Sequence, residues 1–524
     1  MENSYTKRQQ EWKPKKRLEN MASCIKEESG YMTVFGCLLF LTVMSLLFLC
    51  LDGCLIYQAE ARCSMAQTGL GEHLLANYNT PLARRYHLYF LDPKMGEEEL
   101  EERARNYYDE LFYGSSESGL FSPPLLDLET KYIEAEPFGT MQEQECKYLI
   151  TQIKEYMKYD MTKDLVLEAL GAAAQETEEQ NGQIEETART LDEKQSAVED
   201  SASASAENTL MPSENAEDNQ ADSIAQNSSP MRRIRSILEY GIMGIVTDES
   251  TLSERKISSS LLPFQNQKEN KIDISMKLFE NLTQVKELLT EQNLDQLTES
   301  LTDKGALSLY MQKYFNYYGK ESVISDTCLL YEAEYILGGQ YSDKENLEYV
   351  INRLVLLRFA LNSAYCFTDE ELRSQAFSMA ALLTGVTGTP ELVEAVRYMI
   401  LAAVNLIESV TDVEVLMDGN KVPLVKTKST WKTAISGQSE GISSSGNSGL
   451  EYKDYLLLLL LLKTDTNQQC LRMQNLMQLN IQQEQPEFQI KKCYGGIRLR
   501  SGVIFRARFY AGEYLFEHKE SYEY

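Results

Sequence analysis

Residues 32–51 run for twenty positions without a charged side chain, about the 20 residues a helix needs to cross the hydrocarbon of a bilayer. A helix satisfies its own backbone polar groups, as that medium demands. Beyond the run, Leu51, Leu55, Ala59, Cys63, Ala66, Leu70 and Leu74 recur at spacings of three and four. The helix is therefore expected to continue to about Asn77, with these residues on one face. Such a stripe needs a partner, either the protein's own domain or the same helix in a neighbouring subunit. Helical periodicity returns over 97–112, where Leu100, Ala104, Tyr107 or Tyr108, and Leu111 share a face, and again over 141–170, 231–238, 278–289 and 310–318.

The densest apolar region is 328–410. Leu347, Val350, Ile351, Leu354, Leu357, Phe359 and Leu361 read as the buried positions of one helix. Asp369, with Arg373, is placed to cap the next, 370–383, and Pro390 opens a third, 391–410. Seven consecutive leucines at 456–462 mark a helix apolar all round and central to the core. Period-two alternation over 132–135, 488–492, 497–500, 503–509 and 514–516 predicts strands, the last four as half-buried antiparallel partners. Residues 413–425, around Asp418-Gly419-Asn420, read as a β-hairpin. Residues 84–93, closed by Pro93, read as a short buried strand or turn. The expected fold class is α+β, mainly α: a long N-terminal transmembrane helix, a helical exported domain and C-terminal antiparallel strands.

Composition sets the boundaries. From Ala172 to Ser229 the chain is Glu, Ala, Ser, Gln and Asn with no aromatic residue, too little apolar surface to offset the entropy of ordering. The expected organisation is a basic cytoplasmic tail (1–30), a transmembrane helix (31–52), an N-terminal exported region (53–171) and an acidic disordered linker (172–230). A helical core region (231–436), a Gly/Ser loop (437–450) and a buried helix with strands (451–524) follow.

Charge supplies topology. Lys7, Arg8, Lys13, Lys15, Lys16, Arg17 and Lys26 precede the apolar run, and the next basic residue is Arg62. Positive residues stay inside, so the N-terminus is placed in the cytoplasm of a single-pass cell-membrane protein, with everything after Asp52 outside. The bilayer is the partner of residues 31–52. The net charge of −28 argues against nucleic acid, whose phosphates require Lys and Arg.

Two processing motifs touch the run. Ser29-Gly30-Tyr31 has the outline of a type IV prepilin site, with cleavage between Gly30 and Tyr31, but Phe35 stands where that class carries glutamate. Leu51-Asp52-Gly53-Cys54 has the outline of a lipoprotein site behind an unusually long apolar run. Both compete with an uncleaved anchor. Cys63, Cys146, Cys328, Cys366, Cys470 and Cys493 lie on the exported side, an even set that either pairs or stays buried as thiols.

Catalytic signatures are missing: no GxSxG, P-loop or HExxH occurs, and His73, His87 and His518 lack metal-ligand spacing. No catalytic, cofactor-binding or metal residue is assigned and no cofactor is expected; the chain does not read as an enzyme. Glu332 and Glu334 could form a glycosidase pair, against the plainer reading of capping or ion pairing with Arg353 or Arg358. Lys421, Lys426 and Lys428 read as a contact surface or a lysine-protected strand edge.

Several longer motifs carry a resemblance. They include Gly30-Tyr-Met-Thr-Val-Phe, Leu51-Asp-Gly, Gln58-Ala-Glu-Ala-Arg62 and Tyr86-x-Leu-x-Phe-Leu-Asp92. Further along stand Ile153-Lys-Glu-Tyr-Met-Lys-Tyr159, Tyr331-Glu-Ala-Glu-Tyr-Ile-Leu-Gly-Gly339, Glu345-Asn-Leu with Asn352-Arg-Leu, and Lys421-Val-Pro-Leu-Val-Lys-Thr427. Together they resemble an uncharacterised family of single-span bacterial surface proteins, similar to the TadE-like, pilin-like proteins of Tad (Flp-type) pilus systems. The resemblance implies a membrane-anchored extracytoplasmic protein of clostridia-like bacteria and no particular reaction. The expected function is structural: contacts with other envelope or pilus-like subunits in a pilus-like or secretion-related assembly, through lateral packing of the anchor helix. Thr33, Gly36, Thr42 and Ser45 are its small positions for close approach. The alternative is a surface enzyme or cell-wall-binding module whose site is assembled from distant positions.

Overall fold

The structure, a computed structural model, describes residues 15–113, 126–158, 229–248, 250, 252–265, 294–320, 326–384, 389–435, 449–463, 465–507, 509 and 512–524. In chain order its main elements are α1 (Lys15–Leu75), α2 (Thr80–Tyr86), α3 (Glu97–Tyr113), β1 (Leu128–Thr140) and α4 (Glu143–Met157). Then come α5 (Ser229–Val246), α6 (Leu294–Tyr314), α7 (Glu332–Gly338), α8 (Asp343–Thr368), α9 (Glu370–Thr384) and α10 (Pro390–Met417). The last are α11 (Tyr452–Leu462), α12 (Thr466–Gln482), β2 (Tyr494–Arg506) and β3 (Glu513–Glu523). The fold is mainly helical with a small sheet. All but the last two residues of the acidic linker, 159–170 of the expected 141–170 helix, the 278–289 helix and most of the Gly/Ser loop lie outside the described residues.

Two compact units form. One comprises Met1–Asn77, Lys94–Phe138 and Gly496–Tyr524. Its sheet has the order β1-β2-β3, with β2 and β3 antiparallel and Val503 opposite Phe516. Helix α1 emerges from its apolar run and lies against β3 and α3. Ala59, Cys63, Ala66, Leu70 and Leu74 are buried there, so this stretch packs on the protein's own unit. Contact is close enough to require glycine inside the helix, where glycine ordinarily costs about 1 kcal/mol against alanine. A Cβ on Gly71 would sit 2.7 Å from the Tyr522 ring. A buried polar knot ties the layers. The Tyr108 hydroxyl donates to Gln67 Oε1 at 2.8 Å, Ser501 Oγ donates to the same oxygen at 2.7 Å, and Gln67 Nε2 reaches Leu499 O at 3.4 Å. Burial pushes the Tyr108 hydroxyl up to about 12.

The other unit comprises Tyr78–Pro93 and Gly139–Gly495. Helices α8 and α10 form its central pair, with α9 and α5 against α10 and α7 against α8. Helix α6 packs on α4 and α11. Tyr455, Leu456 and Leu460 are buried in the core as the leucine run predicts. Helix α8 is long and apolar enough to span a membrane, yet 78% of its apolar window is buried; it is a core helix.

Several expectations are corrected. Helix begins at Lys15 rather than Tyr31, because no proline stands between Pro14 and Pro81 and the residues to Gly30 are mostly good helix formers. Of residues 84–93, 84–86 belong to helix α2, because Asn79 Oδ1 caps the Leu82 N–H at 3.0 Å and Pro81 occupies the first turn; 87–93 are the buried non-helical stretch expected, with Leu91 in an isolated antiparallel bridge to Tyr78 and a turn at Pro93. The 413–425 hairpin does not form. Helix α10 continues to Met417, because Val413, Leu416 and Met417 sit at helical spacing on its buried face. Residues 488–492 form a turn of 3₁₀ helix, Ile490–Lys492, rather than a strand. The 497–500 and 503–509 segments merge into the single strand β2, which ends at Arg506. Strand β3 is mostly exposed; its charged residues protect it as a sheet edge.

Candidate functional site

The apolar run of α1, residues 32–51, is left open. Its membrane-length window is not buried at all, with Phe35, Phe40, Leu41 and Leu46 more than 60% exposed. Of the small positions, Thr33 and Thr42 are nine residues apart, two and a half turns at about 3.6 residues each. The helix therefore puts Thr33 and Gly36 on one side and Thr42 and Ser45 on the other. Thr42 and Ser45 lie in a shallow depression with Leu38, Leu41, Leu46 and Leu49; the Thr42 hydroxyl folds back onto Leu39 O at 2.8 Å. Gly36 has open space around it. Gly30 and Tyr31 fall inside the continuous helix, as do Asp52 and Cys54.

Sequence reasoning singled out two acidic positions on α7, and the structure assigns them a holding role. Glu332 accepts from Asn316 N at 2.9 Å and from Asn480 Nδ2 at 2.6 Å. Glu334 Oε1 accepts from Tyr318 N at 2.9 Å and from the Tyr452 hydroxyl at 2.7 Å. Neither pairs with Arg353 or Arg358, and neither faces solvent. Burial pushes both carboxyls up to about 7. They anchor the backbone that follows α6. Arg472 closes the other end of α7, donating to Ile336 O and Leu337 O at 2.9 and 2.7 Å. Gly339 turns the chain there with φ +66°, and a Cβ would lie 2.8 Å from the guanidinium. The Tyr331–Gly339 motif is thus an interior structural motif.

A second charge cluster was missed. Arg358, Glu408, Asp412 and Lys426 are all buried, two cations against two anions. Arg358 Nη2 lies 2.8 Å from Asp412 Oδ2, and Lys426 Nζ lies 2.6 Å from both Glu408 Oε1 and Asp412 Oδ1. Arg358 also donates to Pro423 O, Leu424 O, the Tyr455 hydroxyl and Asn362 Oδ1. Glu408 accepts from the Lys432 and Thr433 backbone and the Thr433 hydroxyl. Although burial raises the Asp412 carboxyl, the Arg358 and Lys426 charges outweigh it and hold it below its ordinary value. The cluster clamps residues 418–435, which carry no helix or strand, onto α8 and α10. Lys426 is therefore not part of an exposed basic surface. Lys421 and Lys428 are exposed and pair with Glu451 and Glu371. The signal was present in sequence: Leu401, Val404, Asn405, Glu408 and Asp412 keep one helical face, so two acids occupy core positions.

The remaining candidates are dispersed. The His73 ring stacks on Tyr107 and the His87 ring on Tyr156, and His518 lies in β3. Among the described residues no group of three or more His, Cys, Asp or Glu is placed to hold a metal. Nine cysteines are described, all as free thiols, with Cys63, Cys146, Cys366, Cys470 and Cys493 buried and Cys328 partly so.

The model of DUF5702, a family of unknown function, matches residues 220–504, more than half of the chain. The chain belongs to that family. The DUF5702 match covers both buried clusters and stops two residues short of the end of β2. No curated protein and no solved structure matches the chain.

Proposed function

We propose that this DUF5702 protein is a single-pass membrane-anchored structural or interaction protein, its folded units outside the cytoplasm and making contacts in a pilus-like (Tad-type) or secretion-related envelope assembly. The continuity of α1 carries the reading. One unbroken helix has no buried residue over a membrane-length apolar window and then buries its face in a folded unit. Exposed apolar surface on that scale needs a partner, and lipid fits a run without charge. The basic flank favours a cytoplasmic N-terminus. The two buried charge clusters support a scaffold role, since they hold backbone in place.

Lateral contacts run along the Thr42 and Ser45 side of the helix, where small side chains permit close approach. The test is oxidative crosslinking in native membranes of Thr42→Cys and Ser45→Cys, in a chain whose Cys24, Cys37, Cys50 and Cys54 are serine. Dimers or adducts with pilus-like subunits are expected. Monomer alone at both positions would overturn the lateral-packing mechanism.

A further inference from the structure

The loop joining β2 to β3 reaches the apolar part of α1. Phe509 stacks on Phe48 with ring centroids 4.8 Å apart and an interplanar angle of 14°. Its backbone N–H points to Asp52 Oδ1 at 3.4 Å. Asp52 is the first charged residue after the apolar run and is only 4% exposed, so this unit's folded body starts where the run stops. Phe48 lies three residues inside the run. At a rise of about 1.5 Å per residue, that is roughly 5 Å below Leu51.

Phe509 nevertheless stays 48% exposed, and Tyr514 and Leu515, just past the turn, are 41% and 43% exposed. Tyr514 and Leu515 are consecutive on β3 and so point to opposite faces of the sheet; Phe509 is the ring that the Phe48 stack places beside the open part of α1. Charge bounds this patch. Arg506, paired to Glu129 and Glu513 at 2.7 and 3.2 Å, stands at the base of the turn. Its long stem suits a position at headgroup level.

We propose that the end of the β2–β3 hairpin is a second membrane contact, with Phe509 seated in the lipid interface beside the anchor helix. This rests on the membrane-spanning reading of α1. An aromatic ring at that depth is at home in the interfacial layer. A helix alone can tilt and rotate in lipid; two contacts joined by the Phe48–Phe509 stack fix how the sheet stands on the bilayer.

The experiment uses the full chain in phosphatidylcholine vesicles whose acyl chains are brominated near the headgroup in one preparation and near the chain end in another. Phe509→Trp, Leu41→Trp and Tyr57→Trp are each made in a Trp12→Phe, Trp431→Phe background, and emission is compared with that in unbrominated vesicles. If that background does not fold, the same three variants are read against the natural chain, whose two tryptophans give the baseline. Bromine near the headgroup is expected to quench position 509, bromine near the chain end to quench position 41 in the middle of the span, and neither to quench position 57, five residues past Asp52. Quenching at 41 with none at 509 would overturn the hairpin contact and leave the span standing. Quenching at none of the three would overturn both.

Discussion

Asp412 is the residue whose loss the structure prices most clearly. Its Oδ2 takes three hydrogen bonds, from Arg358 Nε at 3.0 Å, Arg358 Nη2 at 2.8 Å and Asn362 Nδ2 at 2.9 Å, while Oδ1 faces Lys426. In Asp412→Ala the Arg358 guanidinium keeps its carbonyl partners but loses its counter-charge, in a site with no solvent to replace it. Removing one member of a buried pair costs about 3–5 kcal/mol, a drop in melting midpoint on the order of 10 °C for a unit of this size. Lys428→Ala is the control, because that lysine pairs with Glu371 at 2.8 Å in full solvent and exposed pairs contribute little. Trp431 reports the transition locally. Its indole donates to Thr433 O at 2.7 Å, and Thr433 itself binds Glu408. Thermal unfolding of the full chain carrying Trp12→Phe, in detergent and followed by Trp431 emission, is expected to show a large loss for Asp412→Ala and none for Lys428→Ala. A melting midpoint for Asp412→Ala within about 2 °C of the natural chain, less than 1 kcal/mol, would refute the clamp.

Glu334 predicts a pH dependence. Unfolded, its carboxyl loses its proton near 4.5; folded, near 7. The stability it contributes is full below the lower value and gone above the higher one, a difference of roughly 3 kcal/mol. Glu334→Gln keeps an oxygen for Tyr318 N and Tyr452 and cannot ionise. Denaturation at pH 5 and pH 8 should therefore show a flatter profile and greater stability than the natural chain at pH 8; an unchanged profile would count against the assignment. Asp412 acts with the opposite sign, its contribution lost as pH falls below the ordinary carboxylate value of 3.8. Gly71→Ala, helpful in an open helix, is expected to destabilise the sheet-bearing unit by about 1–3 kcal/mol through overpacking against Tyr522; stabilisation would show that the ring moves aside freely.

What sequence made legible was whatever repeats locally. The spacing from Ala59 to Leu74 marked the buried face of α1, and the leucine run marked α11. Local signals failed where tertiary contact decided. Val413-Glu-Val415 alternates like a strand, yet the packing of Val413, Leu416 and Met417 against the core keeps it helical. Arg84 to Pro93 is rich in strand formers, but Asn79 and Pro81 start a helix just upstream. Lys426 and Lys428 look alike two residues apart; only long-range folding puts one beside Asp412 and Glu408 and leaves the other in water. Glu332 and Glu334 stood out, but their partners Asn480 and Tyr452 lie more than a hundred residues away. The small positions on α1 were visible as residues, whereas their division into two opposite sides follows from counting turns.

The central claim is that lipid covers the exposed apolar half of α1. Alkaline carbonate extraction of membranes from cells making the full chain tests it most directly, with a Leu41→Arg, Leu46→Arg chain beside it. The natural chain is expected to stay in the pellet and the doubly charged one to be displaced into the soluble fraction. Release of the natural chain by carbonate would contradict the account.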